Sequence, residues 1–252
     1  MRPPSGVAGT PPHKGASKTS ARAYARLAMS YPIQIVSRLR VAKHGEVFTA
    51  PREVNAMLDL VKQETERIES RFLEPACGTG NFLAEILRRK LAVVAKRYRR
   101  SPCEWRFNAF TALSSLYGID ILADNVAACR ERLLDIALGA FRAPPPEGGC
   151  PREPPENAPE AFTAAMRFVL SKNIIHGDAL TLRHVDGPGG FIVFPEWSPL
   201  AGFNIQRRDF RFDSLTHGDL PLFSDNGEKV MFPTPVKDDY PPTHYLEVMN
   251  NG

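Results

Sequence analysis

Long apolar runs, closely spaced cysteines and, at the start of the chain, acidic residues are all scarce in this 252-residue sequence. No run of 18 apolar residues occurs, so no membrane-spanning helix is expected. The four cysteines, Cys77, Cys103, Cys129 and Cys150, form no Cys-x-x-Cys pair. Such spacing argues against a zinc site and, in a chain this long, against a disulfide framework. Four reduced thiols and a cytoplasmic location are the expectation. Residues 1–30 hold Arg2, Lys14, Lys18, Arg22 and Arg26 and no acid. The formal charge of +4 is therefore a +5 tail on a body of 27 basic and 28 acidic residues. The pI near 8.9 thus reflects the tail and does not by itself indicate nucleic-acid binding. No apolar stretch follows the basic start, so it does not read as a secretory signal. Its acid-free, Arg- and Ser-bearing composition also fits a transit peptide, a short basic tail being the simpler reading. There is no internal repeat.

What is present supports a core, with 43% hydrophobic and 9% aromatic residues. The first 20 residues, rich in Pro, Gly, Ser, Thr and Lys, read as disordered within a basic tail spanning 1–30. Helical spacing of Val54, Met57, Leu58 and Val61 after Pro51 predicts a helix over 51–68. A short strand over 71–74 runs into a Gly-rich turn. Helices are then predicted over 81–99, 104–114, 125–138 and 161–170, and strands over 116–119, 173–176 and 191–194. Seven prolines between 144 and 159 mark a surface insertion at 143–159. After Pro199 the rhythm stops, and residues 200–252 read as an irregular extension. This order predicts an α/β fold of Rossmann-like type, a mainly parallel sheet with helices on both faces, whose last strands are not evident in the sequence. In such sheets ligands bind beyond the carboxyl ends of the strands. Those ends here are Glu74, Asp120, Asp178 and Pro195-Glu196.

The turn reads Leu73-Glu74-Pro75-Ala76-Cys77-Gly78-Thr79-Gly80-Asn81-Phe82-Leu83. Two glycines one residue apart permit positive φ and close approach of a ligand to the backbone. The helix that follows aims its free amides back at that ligand. The third glycine of a dinucleotide fingerprint is replaced by Leu83, and no Gly-Lys-Ser/Thr follows, so neither of those phosphate motifs is met.

The string as a whole resembles the S-adenosylmethionine motif of adenine-specific DNA methyltransferases, most closely the modification subunits of type I restriction-modification systems. Further segments resemble that family in the same order. Gly45-Glu46-Val47-Phe48-Thr49-Ala50-Pro51 is similar to its N-terminal cofactor motif, Tyr117-Gly118-Ile119-Asp120 to its second strand, and His176-Gly177-Asp178-Ala179-Leu180 to its third. The resemblance covers roughly residues 30–195, so a methyltransferase domain is placed at 31–199. It implies S-adenosylmethionine as cofactor and DNA as partner, with methyl transfer to the exocyclic amine of adenine. Under it, Glu74 meets the cofactor's ammonium, Gly78 and Gly80 admit it, and Asp120 takes the ribose hydroxyls. Asp178 takes the adenine amine, and Phe48 and Thr49 close over it. As lone residues, Asp120 and Asp178 read first as helix N-caps, Phe48 as core and Glu74 as a solvated acid.

The family's Asn-Pro-Pro-aromatic motif is absent. It ends the fourth strand there, accepts the amine hydrogens and stacks on the flipped base. At the expected place stands Pro195-Glu196-Trp197-Ser198-Pro199, making Glu196 the candidate acceptor and Trp197 the candidate stacking platform. The plain reading is a polar turn. Asp238-Asp239-Tyr240-Pro241-Pro242 has similar composition in the wrong order and reads as a loop. Gln206-Arg207-Arg208-Asp209-Phe210-Arg211 and the cluster Arg88, Arg89, Lys90, Lys96, Arg97, Arg99 and Arg100 fit phosphate contact or solvated surface. The length leaves little room for site recognition, so a specificity or restriction subunit is an expected partner. Two other readings stay open: a cofactor- or DNA-binding subunit without transfer, and a methyltransferase acting on RNA or protein.

Overall fold

The computed structural model describes residues 40, 49–141, 158–187, 189–216 and 235–251. The chain divides into two units, Met1–Phe48 and Thr49–Gly252, and the architecture below is that of the second. The expectations for residues 1–30, for Phe48 and for the Pro-rich stretch up to residue 157 lie outside the described residues.

Helix α1 (Pro51–Leu60) starts where a first-turn proline meets an acid. The Ala50 N–H donates to the Glu53 carboxylate at 3.2 Å, supplying an acceptor at the helix start. It buries Val54 and Leu58. The predicted 51–68 helix breaks at Val61 (φ −117°, ψ 30°), and a short α2 (Lys62–Thr65) follows. Strand β1 (Phe72–Glu74) leads through the glycine turn into α3 (Asn81–Arg97). That helix buries Leu83, Ile86, Leu87, Leu91 and Val94 at i, i+3 and i+4 spacing. Ser101 caps α4 (Pro102–Ser114), and β2 (Leu116–Asp120) emerges from it wholly buried. Helices α5 (Ala123–Phe141) and α6 (Ala158–Asn173) precede β3 (Ile174–Asp178).

The first sheet has the order β1-β2-β3-β4, with the first three strands parallel and the two-residue β4 (Arg183–His184) antiparallel at the edge. Paired residues of a sheet share a face. One face therefore carries Phe72, Leu116, Gly118 and Ile174, and it packs on the long helices. The other carries Tyr117, Ile119 and Ile175, and it meets Leu182, Ile192, Phe194 and Phe212. Those last three belong to or flank a hairpin of β5 (Val193–Leu200) and β6 (Asn204–Arg211), with a short α7 (Phe212–Thr216) after it.

Two sequence expectations are corrected here. Among the described residues the long helices gather on one face, and the second face meets the hairpin and the start of the short α7. The predicted strand over 191–194 does not extend the parallel sheet. It begins a separate antiparallel sheet, β5-β6-β7, completed by β7 (Thr243–His244).

The predicted division at residue 199 falls inside β5, and residues beyond it enter the core. Ile205, Tyr245, Leu246 and Val248 are buried in the helix-side cluster, the last three from the final 3-10 segment Tyr245–Asn251. Tyr245 stacks edge-on against Phe107, Phe110 and Phe162. Its burial raises the phenol above its ordinary range. Among the described residues no helix is long and apolar enough to cross a membrane. Cys77 and Cys129 are free thiols, whereas Cys103 is disulfide-bonded, which corrects the expectation of four reduced thiols.

Candidate functional site

The register of β1, β2 and β3 places three acids along one edge. Glu74 lies opposite Gly118, Asp120 lies two residues further along β2 and opposite His176, and Asp178 lies two further along β3. A two-residue step preserves the face, so Glu74, Asp120 and Asp178 all project from the helix-side face at the carboxyl ends. The glycine turn sits at the same edge.

Its conformation demands glycine at two positions. Gly78 has φ 53° and Gly80 φ 82°, both left-handed. Gly80 is the N-cap of α3, and a Cβ there would lie 2.6 Å from the Cys129 sulfur. At Gly118 a Cβ would press on Cys77 at 3.0 Å and Leu83 at 3.1 Å, so the turn rests directly on the β2 backbone. Hydrogen bonding with Cys129, and then burial, hold the Cys77 thiol protonated well above its ordinary range, which makes it packing and not a nucleophile. Arg132 of α5 clamps the turn by donating to Thr79 O at 3.3 Å and Asn81 Oδ1 at 2.6 Å. The Asn81 amide in turn donates to Thr49 O at 3.2 Å, so Thr49 does stand against the turn.

The three acids are not equivalent. Asp120 is buried and holds the turn: Oδ2 accepts from Gly78 N–H at 2.8 Å, and Oδ1 accepts from Leu122 N–H at 2.9 Å and the Asn125 amide at 3.2 Å. A carboxylate offers about four acceptor sites, so with three filled Asp120 has room for about one more donor. Both ribose hydroxyls, the role the resemblance gives it, would require one of these bonds to open. Asp178 is partly exposed; Oδ1 accepts from Leu180 N–H at 2.8 Å and Thr181 N–H at 3.4 Å, and the Leu180 bond, with those from the Thr181 side chain and backbone, lowers its pKa. Glu74 is half-buried, and burial raises its pKa against the opposing bond from Ala76 N–H. A cation arriving beside Glu74 would favour the carboxylate form.

One residue of this edge carries no role in the sequence reading. His176 Nδ1 lies 2.6 Å from Asp186 Oδ2, and Nε2 lies 3.0 Å from Ile121 O. The ring thus ties the loops after β2 and β4 together beside Asp120 and Asp178. Only its place in His176-Gly177-Asp178 hinted at it.

Glu196 and Trp197 lie elsewhere. Strand β5 runs from Ile192, packed on Gly177, toward the amino ends of the parallel strands. There the Trp197 Nε1–H donates to Asn173 Oδ1 at 2.9 Å, while the Asn173 amide donates to Ser114 O and Leu116 O, both at 2.9 Å. Trp197 is buried, edge-on to Phe168. Glu196 pairs with Arg71, which precedes β1, and with Arg208 at 2.5 Å. The expected catalytic pair therefore sits at the opposite end of the sheet from the glycine turn, because the segment runs through the middle of a hairpin strand and does not end a parallel one.

Two other candidates are also absorbed by the fold. Arg207 and Asp209 form a buried bidentate pair at 2.8 and 2.9 Å, Tyr240 donates its hydroxyl to Asp209 at 2.9 Å, and Arg207 stacks on the Tyr240 ring. This removes Arg207 from phosphate contact and makes Tyr240 part of a buried clamp, while Asp238, Asp239, Pro241 and Pro242 stay exposed. Lys90, read with the basic cluster, is wholly buried and donates to Ile68 O, Ser70 O and Ser115 Oγ. Burial lowers its pKa to about 7.

Comparison with family models, with curated proteins and with solved structures returned no match.

Proposed function

We propose that the chain binds S-adenosylmethionine at the carboxyl edge of β1–β3 and belongs among the methyltransferases that modify the adenine amine of DNA. The observation that carries this reading is the convergence of the left-handed glycine turn with Glu74, Asp120 and Asp178 on one face of one edge. Each group suits a part of that cofactor. Glu74 meets the ammonium, and the turn lets the backbone approach the chain of the methionine moiety. Asp120, already holding the turn, accepts one ribose hydroxyl, and the partly exposed Asp178 accepts from the adenine amine. The sulfonium is itself the electrophile, so the protein's task is to align the donor methyl with the acceptor lone pair.

A second reading is favoured by a specific observation. Glu196 and Trp197 are engaged at the amino edge. With the Asn-Pro-Pro-aromatic motif absent, the chain then serves as the cofactor-binding subunit of a restriction-modification assembly whose partner completes the acceptor site. A tritiated-methyl transfer assay separates the two, run on unmodified DNA, RNA and protein, with and without candidate subunits. Label in DNA adenine from the chain alone supports the first. Cofactor binding with transfer only in the presence of a partner supports the second. Label confined to RNA or protein overturns both.

A further inference from the structure

Four cations at and just beyond the end of α3 have no acidic partner among the described residues. Lys96, Arg97, Arg99 and Arg100 line an open cavity of about 420 Å³ where α3 turns into α4. All four are exposed, and none forms an ion pair among the described residues. Their neighbours on the same helix behave otherwise, Arg88 and Arg89 being paired with Glu85 and, for Arg89, with Asp59. The backbone between the cations is fixed. Tyr98 packs against the core, its N–H bonds Val94 O at 2.9 Å, its carbonyl accepts from Ser101 N–H at 3.1 Å, and Pro102 opens the next helix.

We infer that Lys96, Arg97, Arg99 and Arg100 form a binding site for the phosphate backbone of nucleic acid. Four like charges held around one concavity raise the local potential and attract anions of high charge density. Three of the four are arginines, whose planar forks donate to phosphate oxygens two at a time. The choice of nucleic acid over other polyanions rests on the function proposed above. The site itself is separate from the glycine turn, which lies at the other end of the 17-residue α3, about 25 Å away at 1.5 Å per residue. It is thus a positioning contact for nucleic acid, reading no base.

The test compares the full chain with a variant carrying K96Q, R97Q, R99Q and R100Q, titrated into a 20-base-pair duplex at several salt concentrations. Any contribution of the basic residues 1–30 is common to both proteins. Loss of four phosphate contacts predicts that the slope of log K against log salt becomes shallower by about 3 to 4, with affinity at low salt falling about tenfold or more. The triple variant R97K, R99K and R100K keeps the charge and retains the wild-type slope. Unchanged thermal melting of each variant confirms that it folds. An unaltered slope in the glutamine variant overturns the inference. So does unchanged duplex binding together with lost binding to vesicles containing phosphatidylserine or to a poly-glutamate peptide. Calorimetry with S-adenosylmethionine on the same proteins keeps the two claims apart. A wild type that binds duplex through the cradle and does not bind the cofactor sinks the proposed function and leaves the cradle standing.

Discussion

The two ends of the parallel sheet carry polar side chains of similar kinds and use them in opposite ways. At the amino end, Lys90, Asn173 and Trp197 are buried and close on one another or on backbone carbonyls. Buried polar groups cost free energy unless partnered, and here each finds its partner inside the chain. At the carboxyl end, Glu74 and Asp178 remain partly open, and the turn between them is held by Asp120 and Arg132 from beneath. The closed end supports the fold. The open end keeps partly exposed acids on a rigid platform, which is what a ligand site needs.

The comparison breaks most visibly through stability. Trp197→Ala at the closed end is expected to destabilise the domain by about 3–5 kcal/mol, the range for deleting a buried aromatic, measured by denaturant unfolding. Cofactor affinity of the molecules that remain folded is expected to be unchanged. Equal stability in the variant would show that the amino end is not the structural one. Gly80→Ala at the open end comes next. The left-handed conformation alone costs a side-chain-bearing residue about 1–2 kcal/mol, and the 2.6 Å approach to Cys129 adds to it. This variant is expected to lose both stability and cofactor binding.

Titration sharpens the contrast. Lys90 has its folded pKa lowered to about 7, so the unfolded chain binds more protons between about 7 and the ordinary lysine value. Its contribution to stability therefore rises with pH across that window, and Lys90→Met is expected to remove that rise in unfolding experiments run from pH 6 to 10. Glu74 has the opposite character. Its folded pKa is raised, so ionising it in the folded state is penalised, and stability falls as pH climbs above the ordinary glutamate value. Glu74→Gln is expected to be slightly more stable than wild type at neutral pH and to bind no cofactor. The smallest effect is expected at Asp178→Asn, where an amide oxygen retains the turn to Leu180 and stability changes by about 0.5 kcal/mol or less, while cofactor affinity drops.

Much of the open end was legible in the sequence. A strand, a Gly-x-Gly turn and acids closing the next two strands are local signals, and parallel pairing turns them into one edge without further information. The closed end was less legible because its determinants are distant in sequence. Trp197 and Asn173 meet across 24 residues, and Lys90 reaches Ser115 across 25. A lysine in a run of basic residues reads as surface until the helix phase puts it between Leu87 and Leu91. The hairpin was missed for a related reason. Along β6 the buried alternation is Ile205, Arg207, Asp209, so two of its three inward positions are charged, and a pattern that hides a salt bridge does not look like a strand. The same blindness made Glu196 and Trp197 look like the end of a fourth parallel strand.

The account turns on whether the open edge takes S-adenosylmethionine. Isothermal titration of the cofactor into wild type, Glu74→Gln and Glu196→Gln decides it. Binding in wild type, loss in Glu74→Gln and retention in Glu196→Gln is the result expected from the geometry. No heat in wild type, or equal binding in wild type and Glu74→Gln, contradicts it.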